Sequence, residues 1–313
     1  MGTNFQKRNS FNLKFIALLS TVRWKNILVT VLAQYVSFLF AFNTKDALWN
    51  SLNEINVHLI IAATAFILAG GYIINNFYDL EKDLINRPHR TRFQNLISDA
   101  FKLKFYFILN IIGLLIAFIA SWRIFVFFLI YGFLLWFYSH KLSKIVFVRE
   151  LTACFLTVLA FFSLALYYKM ITMSFIMYGA SLFFILFARE LYKDIIWLKG
   201  DVINGYESLA SNRGVHFSKL LFQIILISSI IIDMFFNLYM PKTELLIIMA
   251  IIGILKIGLI FLIRTKNQPV KYRVLTLVFQ QIIIIGFFIF LDGTARITFF
   301  PLFFLLESAM VSI

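Results

Sequence analysis

Charged residues are scarce in this chain. Asp, Glu, Lys and Arg make up 14% of its 313 residues, whereas a soluble globular domain has about 25%, which argues against a soluble fold. The single cysteine, Cys154, excludes an intrachain disulfide and a cluster of metal-binding thiolates. With four prolines and 13 glycines, the chain has no low-complexity or linker segment, so we expect one domain over residues 1–313.

Long apolar stretches make up most of the sequence. Hydrophobic residues account for 61% of the chain and aromatic residues for 18%, which is typical of an integral membrane protein. A helix needs about 20 apolar residues to cross the hydrocarbon layer, and lipid offers the backbone no hydrogen-bond partners, so the spans must be helical. The sequence therefore predicts an all-α polytopic membrane protein with about nine transmembrane helices, near residues 26–42, 57–76, 103–121, 124–140, 151–168, 172–188, 219–237, 245–263 and 274–291.

Positive charge is distributed unevenly along the chain. The formal net charge is +14, and most of the 29 Lys and Arg residues lie before the first predicted span and in alternate loops. The positive-inside rule assigns these segments to the cytoplasm, so we expect a cytoplasmic N-terminus. Topology accounts for the charge excess, and we expect no nucleic-acid partner. No small-residue cleavage site precedes the first span, so we expect no cleavable signal peptide.

Three oxygen-bearing side chains follow the second predicted span at every fourth position. They are Asn75, Asp79 and Asp83, which share one face if the segment is helical. Carboxylate and amide oxygens suit Mg²⁺, which is usually held by one or two carboxylates together with substrate phosphates. Nearby basic residues could bind the remaining phosphate oxygens, namely Lys82, Arg87, Arg90 and Lys193. The pattern indicates a diphosphate site whose ligand extends an apolar tail into the membrane.

A second acidic pair lies in a later loop on the same predicted side of the membrane. Asp194 and Asp201 are seven residues apart, which again places them on one helical face. For any one of these residues, a solvated loop position is the simpler interpretation. Two acidic stripes that each follow a span on the same side favour a functional site, because polar groups are costly at the membrane.

These motifs resemble those of the UbiA-type intramembrane prenyltransferases. The first aspartate-rich motif of that family is similar to Asn75-x-x-x-Asp79-x-x-x-Asp83 with the following segment 86–90, and the second is similar to Lys193-Asp194 with Gly200-Asp201. Smaller matches are Arg23-x-x-Asn26 at the first span and Tyr138-Ser139, Leu142 and Lys144 after the fourth. The resemblance covers nearly the whole chain, and the ordered pair of motifs carries it.

The resemblance implies a helical bundle around a lipid-open cavity, with both aspartate-rich loops on the cytoplasmic side. It implies that Mg²⁺ joins the aspartates to the diphosphate of a prenyl donor, whose isoprenyl group is transferred to a lipophilic acceptor within the membrane. The implied metal-binding residues are Asn75, Asp79, Asp83, Asp194 and Asp201, and the four aspartates are the implied catalytic residues. The implied substrate-binding residues are Asn26, Arg90, Tyr138, Lys144 and Lys193.

The chain departs from the family pattern at several positions. Trp197 stands where the family commonly has a further acid, Asn76 where relatives often have Asp, and Thr91 follows Arg90 in place of the usual proline. Arg149-Glu150 replaces the Gly-Asn that often opens the fifth span. Because the first motif, Asp194 and Asp201 are retained, we expect an active enzyme with a modified second metal site.

Several alternatives stay open at this point. The RELYKD form of the second motif is similar to geranylgeranylglycerol-phosphate geranylgeranyltransferases, yet the acceptor could equally be an aromatic ring. A catalytically degenerate lipid-binding relative is one competing hypothesis. A polytopic transporter is another, although its acidic groups are expected inside the spans. Lys256, near the middle of the eighth predicted span, is expected to face the bundle and pair with a residue of another helix.

Overall fold

The computed structural model describes residues 2–39, 53–86, 88–203, 207–239 and 243–263, and within these ranges the chain is helical and has no β-strand. The helices are α1 (Gly2–Thr21), α2 (Trp24–Ser37), α3 (Ile55–Tyr78), α4 (Leu80–Asn86), α5 (Pro88–Gln94), α6 (Asp99–Ala120), α7 (Trp122–His140), α8 (Val148–Phe161), α9 (Ser163–Tyr168), α10 (Met173–Ile203), α11 (Leu209–Asn212), α12 (Gly214–Tyr239) and α13 (Thr243–Leu262). The all-α prediction is therefore confirmed.

Five helices in the described ranges are long and apolar enough to cross a membrane. They are Ile55–Tyr78, Asp99–Ala120, Trp122–Lys144, Phe175–Leu198 and Gly214–Tyr239. Helices α1 and α2 form a sixth candidate, bent by 56° at Arg23, whose φ of 51° is left-handed. Leu246–Leu262 is apolar but shorter. The predicted span near 274–291 lies outside the described residues, so the count of nine stays a prediction.

The predicted span near 151–168 is not one continuous helix. It is divided into α8 and α9 at Phe162, whose N–H bonds to the Leu159 carbonyl oxygen three residues back at 3.0 Å. The Gln34 side-chain amide, from α2, donates to the Ala160 carbonyl oxygen at 3.0 Å and to the Ser163 hydroxyl at 2.9 Å. Polar groups that insert into the helical hydrogen-bond ladder break or bend a helix, so this segment forms two helices instead of one.

Helix α3 lies at the centre of the bundle and packs against α2, α6 and α7. Two adjacent glycines near its end allow this close packing. A Cβ atom at Gly70 would lie 2.5 Å from the Asn110 side chain of α6, and one at Gly71 would lie 2.9 Å from Leu135 of α7. Small residues let membrane helices approach closely, so these two positions fix the end of α3 that carries the first aspartate-rich motif.

Helix α6 presents an apolar face to its surroundings. Phe107, Ile111, Leu115 and Phe118 recur at intervals of three or four residues and are each more than half exposed. Residues at this spacing share one helical face. A stripe of this kind is the surface that lipid covers in a membrane protein.

Candidate functional site

The first aspartate-rich motif lies where α3 ends. The helix stops at Tyr78, Asp79 adopts a non-helical conformation, and α4 begins at Leu80, so the motif is not one uninterrupted helix. The helical hydrogen bonds between residues four apart are still present across the break. The Asp79 N–H bonds to the Asn75 carbonyl oxygen, and the Asp83 N–H bonds to the Asp79 carbonyl oxygen, both at 2.9 Å. The Asn75 side chain also donates to Asp79 Oδ2 at 2.9 Å. This bond uses the amide nitrogen, and the amide oxygen is the atom that a cation would take.

A small polar pocket adjoins this motif. It is lined by charged and amide side chains from the α1–α2 bend, α3, α4 and α5, together with Thr21: Arg23, Asn76, Asp83, Arg90 and Gln94. The pocket places two guanidinium groups beside a carboxylate of the motif. Such a combination can bind a phosphate group and a divalent cation together.

Contacts with Ser20, in the last turn of α1, fix the walls of this pocket. Gln94 donates to the carbonyl oxygen of Ser20 at 3.0 Å and to its hydroxyl at 3.1 Å, and it accepts a hydrogen bond from Asn76 at 3.1 Å. Arg90 approaches the same Ser20 carbonyl oxygen at 3.5 Å. Neither Gln94 nor Ser20 is predicted from the sequence, because neither belongs to a recognisable motif and their contact joins residues that are 74 positions apart.

The second motif lies on the last turns of α10. The sequence predicts a polar loop for this motif, but the 31-residue helix continues to Ile203. Asp194 is 7% exposed and Asp201 is 1% exposed, so both carboxylates are buried rather than solvated. The two aspartates are compatible with a helix because they are buried in the bundle, while Arg189 and Lys193 stay partly or fully exposed on the same helix.

One contact joins the two motifs. The Asn86 side chain, at the end of α4, lies 3.5 Å from Asp201 Oδ1 on α10, and the two helices pack against each other. The charges of Asp79 and Glu190 also both act electrostatically on the Tyr138 hydroxyl. The two stretches, more than 100 residues apart in sequence, therefore meet at the same end of the bundle.

Arg149 and Glu150, at the start of α8, belong to this end as well. Arg149 Nη2 lies 2.8 Å from Asp194 Oδ1 and 2.7 Å from Glu150 Oε1, and its Nε lies 3.0 Å from the same glutamate oxygen. Burial alone would lower the pKa of the Arg149 guanidinium, but the charges of Asp194 and Glu150 outweigh burial and raise that pKa. The cluster was not predicted, and the signal that could have revealed it was the departure from the family pattern at these two positions.

The predicted substrate-binding residues differ in how buried they are and in what they contact. Tyr138 packs at the edge of the core within reach of charges from both motifs. Lys193 forms an ion pair with Glu190 on its own helix, and its side chain is 45% exposed. Lys144 is exposed in a short 3₁₀-helix, and Asn26 lies in the first turn of α2, half-buried. The side chain of Lys82 and the whole of Arg87 lie outside the described residues.

The donor atoms at this end suit a hard divalent cation. In the described ranges, Asp194 Oδ2, Glu150 Oε2 and Asn76 Oδ1 are buried and accept no hydrogen bond, and carboxylate and amide oxygens are the ligands that Mg²⁺ prefers. Among those residues, no three acidic, histidine or cysteine side chains are close enough to hold one ion. Such a site fits Mg²⁺ that takes one or two protein carboxylates and completes its shell with water and phosphate.

A second buried charge lies deeper in the bundle. Lys256 is fully buried and donates to Asp233, to Ser229 Oγ at 2.7 Å and to Ser181 Oγ at 3.4 Å. Ser181 donates to Asp233 Oδ1 at 2.6 Å. The expectation that Lys256 pairs with another helix is confirmed. Ser181 precedes Asp194 by 13 residues of α10, or about 20 Å along a helix, so this cluster is separate from the motifs.

The sequence of this chain is similar to those of known membrane enzymes. Residues 27–283 match the model of the UbiA prenyltransferase family. The digeranylgeranylglyceryl phosphate synthase of Sulfurisphaera tokodaii is 26% identical over 221 residues, which are 69% of this chain and 77% of that protein. The protein of the same name from Methanobrevibacter smithii is 26% identical over 79% of this chain and 89% of its own length.

Solved structures share the fold. A structure from work on digeranylgeranylglyceryl phosphate synthase in membranes has a TM-score of 0.69 and 22% identity, and covers 90% of this chain and 99% of its own. A UbiA homologue from Archaeoglobus fulgidus bound to GPP and Mg²⁺ has a TM-score of 0.68 at 17% identity, and covers 95% of this chain and all of its own. The matched region includes both aspartate-rich motifs and more than half of the chain, so the chain belongs to the UbiA prenyltransferase family.

Proposed function

We propose that this chain transfers an isoprenyl group from a prenyl diphosphate to a lipophilic acceptor within the membrane, with Mg²⁺ as cofactor. The observation that carries the proposal is the contact between the two motifs, from Asn86 to Asp201, at one end of a bundle of apolar helices. Acidic and amide oxygens there suit a metal–diphosphate group, while the apolar helices suit an isoprenyl chain.

The acidic residues divide into two sets in this proposal. Asn75, Asp79 and Asp83 bind one metal ion, and Asp194 and Asp201 bind another. The bound Mg²⁺ neutralises the negative charge of the diphosphate leaving group. The carboxylates hold the donor so that its diphosphate lies at the polar end and its allylic carbon faces the apolar interior, where water is excluded.

The basic and polar residues bind the diphosphate and line the rim of the cavity. Arg90 is the best placed, since it lines the same pocket as Asp83 and can donate two parallel hydrogen bonds to phosphate oxygens. Tyr138, whose hydroxyl is influenced by the charges of Glu190 and Asp79, faces the reacting end of the donor in this proposal. Asn26, Lys144 and Lys193 contribute positive charge or hydrogen bonds at the edge of the site.

The acceptor class follows from the relatives. Proteins named digeranylgeranylglyceryl phosphate synthase match 69% and 79% of this chain, so we favour a glycerol-phosphate ether lipid precursor over an aromatic ring, with a geranylgeranyl donor. In this transfer the carbon–oxygen bond to the diphosphate breaks, and the diphosphate keeps the electron pair. The acceptor hydroxyl oxygen bonds to the freed carbon and releases its proton.

The topology belongs to the same proposal. We place the N-terminus and both aspartate-rich segments on the cytoplasmic side, because most Lys and Arg residues lie in those segments and positive charge is retained there. We also treat residues 1–313 as one domain. The single integral domain then takes both substrates from the membrane and releases diphosphate into the cytoplasm.

The test is product formation by the purified full chain. Radiolabelled geranylgeranyl diphosphate and Mg²⁺ are incubated with geranylgeranylglyceryl phosphate or with a hydroxylated aromatic acceptor, with a parallel sample in EDTA. We expect a labelled ether lipid with the glycerol phosphate acceptor and no product in EDTA. Product with the aromatic acceptor alone would overturn the acceptor assignment. Neither product nor diphosphate release with any acceptor would overturn the enzyme assignment.

A further inference from the structure

The start of α8 brings a third carboxylate to the second motif. Glu150 is 1% exposed and shares the Arg149 guanidinium with Asp194, at 2.7 Å and 2.8 Å respectively. One cation thus lies between two buried carboxylates from different helices. The nearest other cation on α10, Lys193, is already paired with Glu190. The Arg149 guanidinium therefore holds two buried carboxylates close together.

Three atoms of this group have no hydrogen-bond partner outside the group in the described part of the chain. They are Glu150 Oε2, Asp194 Oδ2 and Arg149 Nη1, and all are buried. Buried polar atoms are nearly always hydrogen-bonded, and exceptions call for an explanation such as a missing ion. Two carboxylate oxygens and one guanidinium nitrogen without partners in one group match a divalent cation on the oxygens and a phosphate oxygen on the nitrogen.

A purely structural role for Glu150 does not explain why this carboxylate is buried beside Asp194. An acidic residue in the first turn of a helix is favoured by the helix dipole, and Glu150 occupies that turn of α8. A helix-capping carboxylate, however, accepts hydrogen bonds from backbone N–H groups, whereas the hydrogen bonds that Glu150 accepts come from the Arg149 side chain.

Glu150 also supplies a carboxylate that α10 lacks at one position beside Asp194. Three residues after Asp194, on the same face of the helix, the chain has Trp197, so α10 offers Asp194 no neighbouring carboxylate at that point. The carboxylate beside Asp194 comes from α8 instead. Phe147, directly before α8, has a φ of 68°, which is unfavourable for a bulky residue, so the chain accepts a strained backbone where it enters this helix.

We propose that Glu150 is a further metal-binding residue, which with Asp194 presents two carboxylates to the divalent cation of the second motif. Arg149 is a positioning residue that holds both carboxylates and offers its remaining nitrogen to the diphosphate. The inference rests on the proposed function, since that function supplies the cation and the diphosphate. It goes beyond it by adding a ligand from a helix that carries neither aspartate-rich motif.

Direct metal binding tests the inference without turnover. The full chain in lipid nanodiscs is titrated with Mn²⁺, which substitutes for Mg²⁺ and is followed by electron paramagnetic resonance. The variant is Glu150→Gln, which keeps the shape and the hydrogen-bond acceptor for Arg149 but loses the charge. The matched control is Glu54→Gln, since Glu54 is a carboxylate at the opposite end of α3 that accepts from Tyr168 at 2.6 Å.

We expect Glu150→Gln to weaken Mn²⁺ binding about tenfold or more, and Glu54→Gln to leave it unchanged. Thermal melting with and without Mn²⁺ serves as a second readout, because a bound ion stabilises the folded state, and Glu150→Gln should lose most of that shift while melting normally without metal. Wild-type affinity in Glu150→Gln overturns the inference and leaves the proposed function intact. Absence of prenyl transfer by a wild-type chain that binds Mn²⁺ overturns the proposed function instead.

Discussion

Two buried clusters of charge contact the same helix, α10, and they differ in how completely their polar atoms are paired. Around Lys256, the lysine, Asp233 and two serines satisfy one another, and none of their side-chain atoms is left without a partner. Around Arg149, three buried atoms have no partner in the described ranges. The first cluster is complete within the protein, whereas the second keeps polar atoms that a ligand could bind.

The difference separates a structural ion pair from a binding site. A charge inside a membrane protein is by default a candidate for function, and by that criterion Lys256 and Asp194 would rank alike. Full pairing lowers the cost of burial and leaves nothing to recruit a ligand. At the end of the bundle where the two motifs meet, a metal ion and a diphosphate would supply partners for the polar atoms that the protein leaves unpaired. The comparison therefore predicts opposite responses to substitution in the two clusters.

The largest effect is expected on turnover at the motif end. Asp79→Ala should lower prenyl transfer by at least about 100-fold, comparable to the loss of one group that stabilises a developing charge. The melting temperature should change little, because Asp79 is only half-buried at a helix end. Asp99→Ala, at an exposed carboxylate that pairs with Lys102, is the control and should keep its activity. Full activity in Asp79→Ala would remove this residue from the metal site.

The next effect is on stability in the paired cluster. Lys256→Met leaves Asp233 buried without its cation and should destabilise the protein by about 3–5 kcal/mol, measured by denaturant unfolding in detergent. The double variant Lys256→Met with Asp233→Leu should recover most of that loss, because replacing both charges removes the uncompensated one. Turnover per folded molecule should stay at the wild-type level. A loss of turnover in the stable double variant would show that this cluster takes part in function.

A smaller and metal-dependent effect is expected at Arg149. Arg149→Gln removes the cation shared by Glu150 and Asp194 and should destabilise the metal-free protein by about 1–3 kcal/mol. Added Mg²⁺ should restore part of this stability, because the ion replaces the lost positive charge. Arg123→Gln, at an exposed arginine in the first turn of α7, is the control. A loss of stability that Mg²⁺ does not change would mean that the Arg149 cluster is as complete as the Lys256 cluster.

The smallest effect on stability is expected at the Lys193–Glu190 ion pair. Lys193 is nearly half exposed, and exposed ion pairs contribute about 0–1 kcal/mol. Lys193→Met should therefore change the free energy of unfolding by less than about 1 kcal/mol, while the Michaelis constant for the diphosphate donor should rise if Lys193 binds phosphate. An unchanged Michaelis constant would assign Lys193 to the surface pair alone.

The sequence was most informative where function restricts local spacing. The intervals between Asn75, Asp79 and Asp83 predicted one half of the candidate site, which stays a prediction, and the apolar stretches correctly predicted the all-α membrane fold. Hydropathy could not show the division of the span near 151–168, because that break depends on Gln34, which lies more than 120 residues earlier in the chain. Pairing between distant helices is decided by packing, which is not encoded in any local window.

Local charge was a misleading signal for the second motif. Several charged residues between 189 and 201 suggested a solvated loop, yet α10 continues to Ile203 and buries Asp194 and Asp201. Arg149 and Glu150 were visible only as departures from the family pattern. Their role depends on a contact with Asp194, 45 residues along the chain from Arg149, which no sequence motif records.

The central claim is that the two motifs form one metal–diphosphate site. The most direct test is a crystal structure with Mn²⁺ and a non-hydrolysable prenyl thiodiphosphate, in which anomalous scattering locates the metal. We predict one Mn²⁺ bound by Asp79 or Asp83 and another bound by Asp194 together with Glu150, with the thiodiphosphate between the two ions. Anomalous peaks remote from these carboxylates, or a thiodiphosphate that contacts only one motif, would contradict the claim.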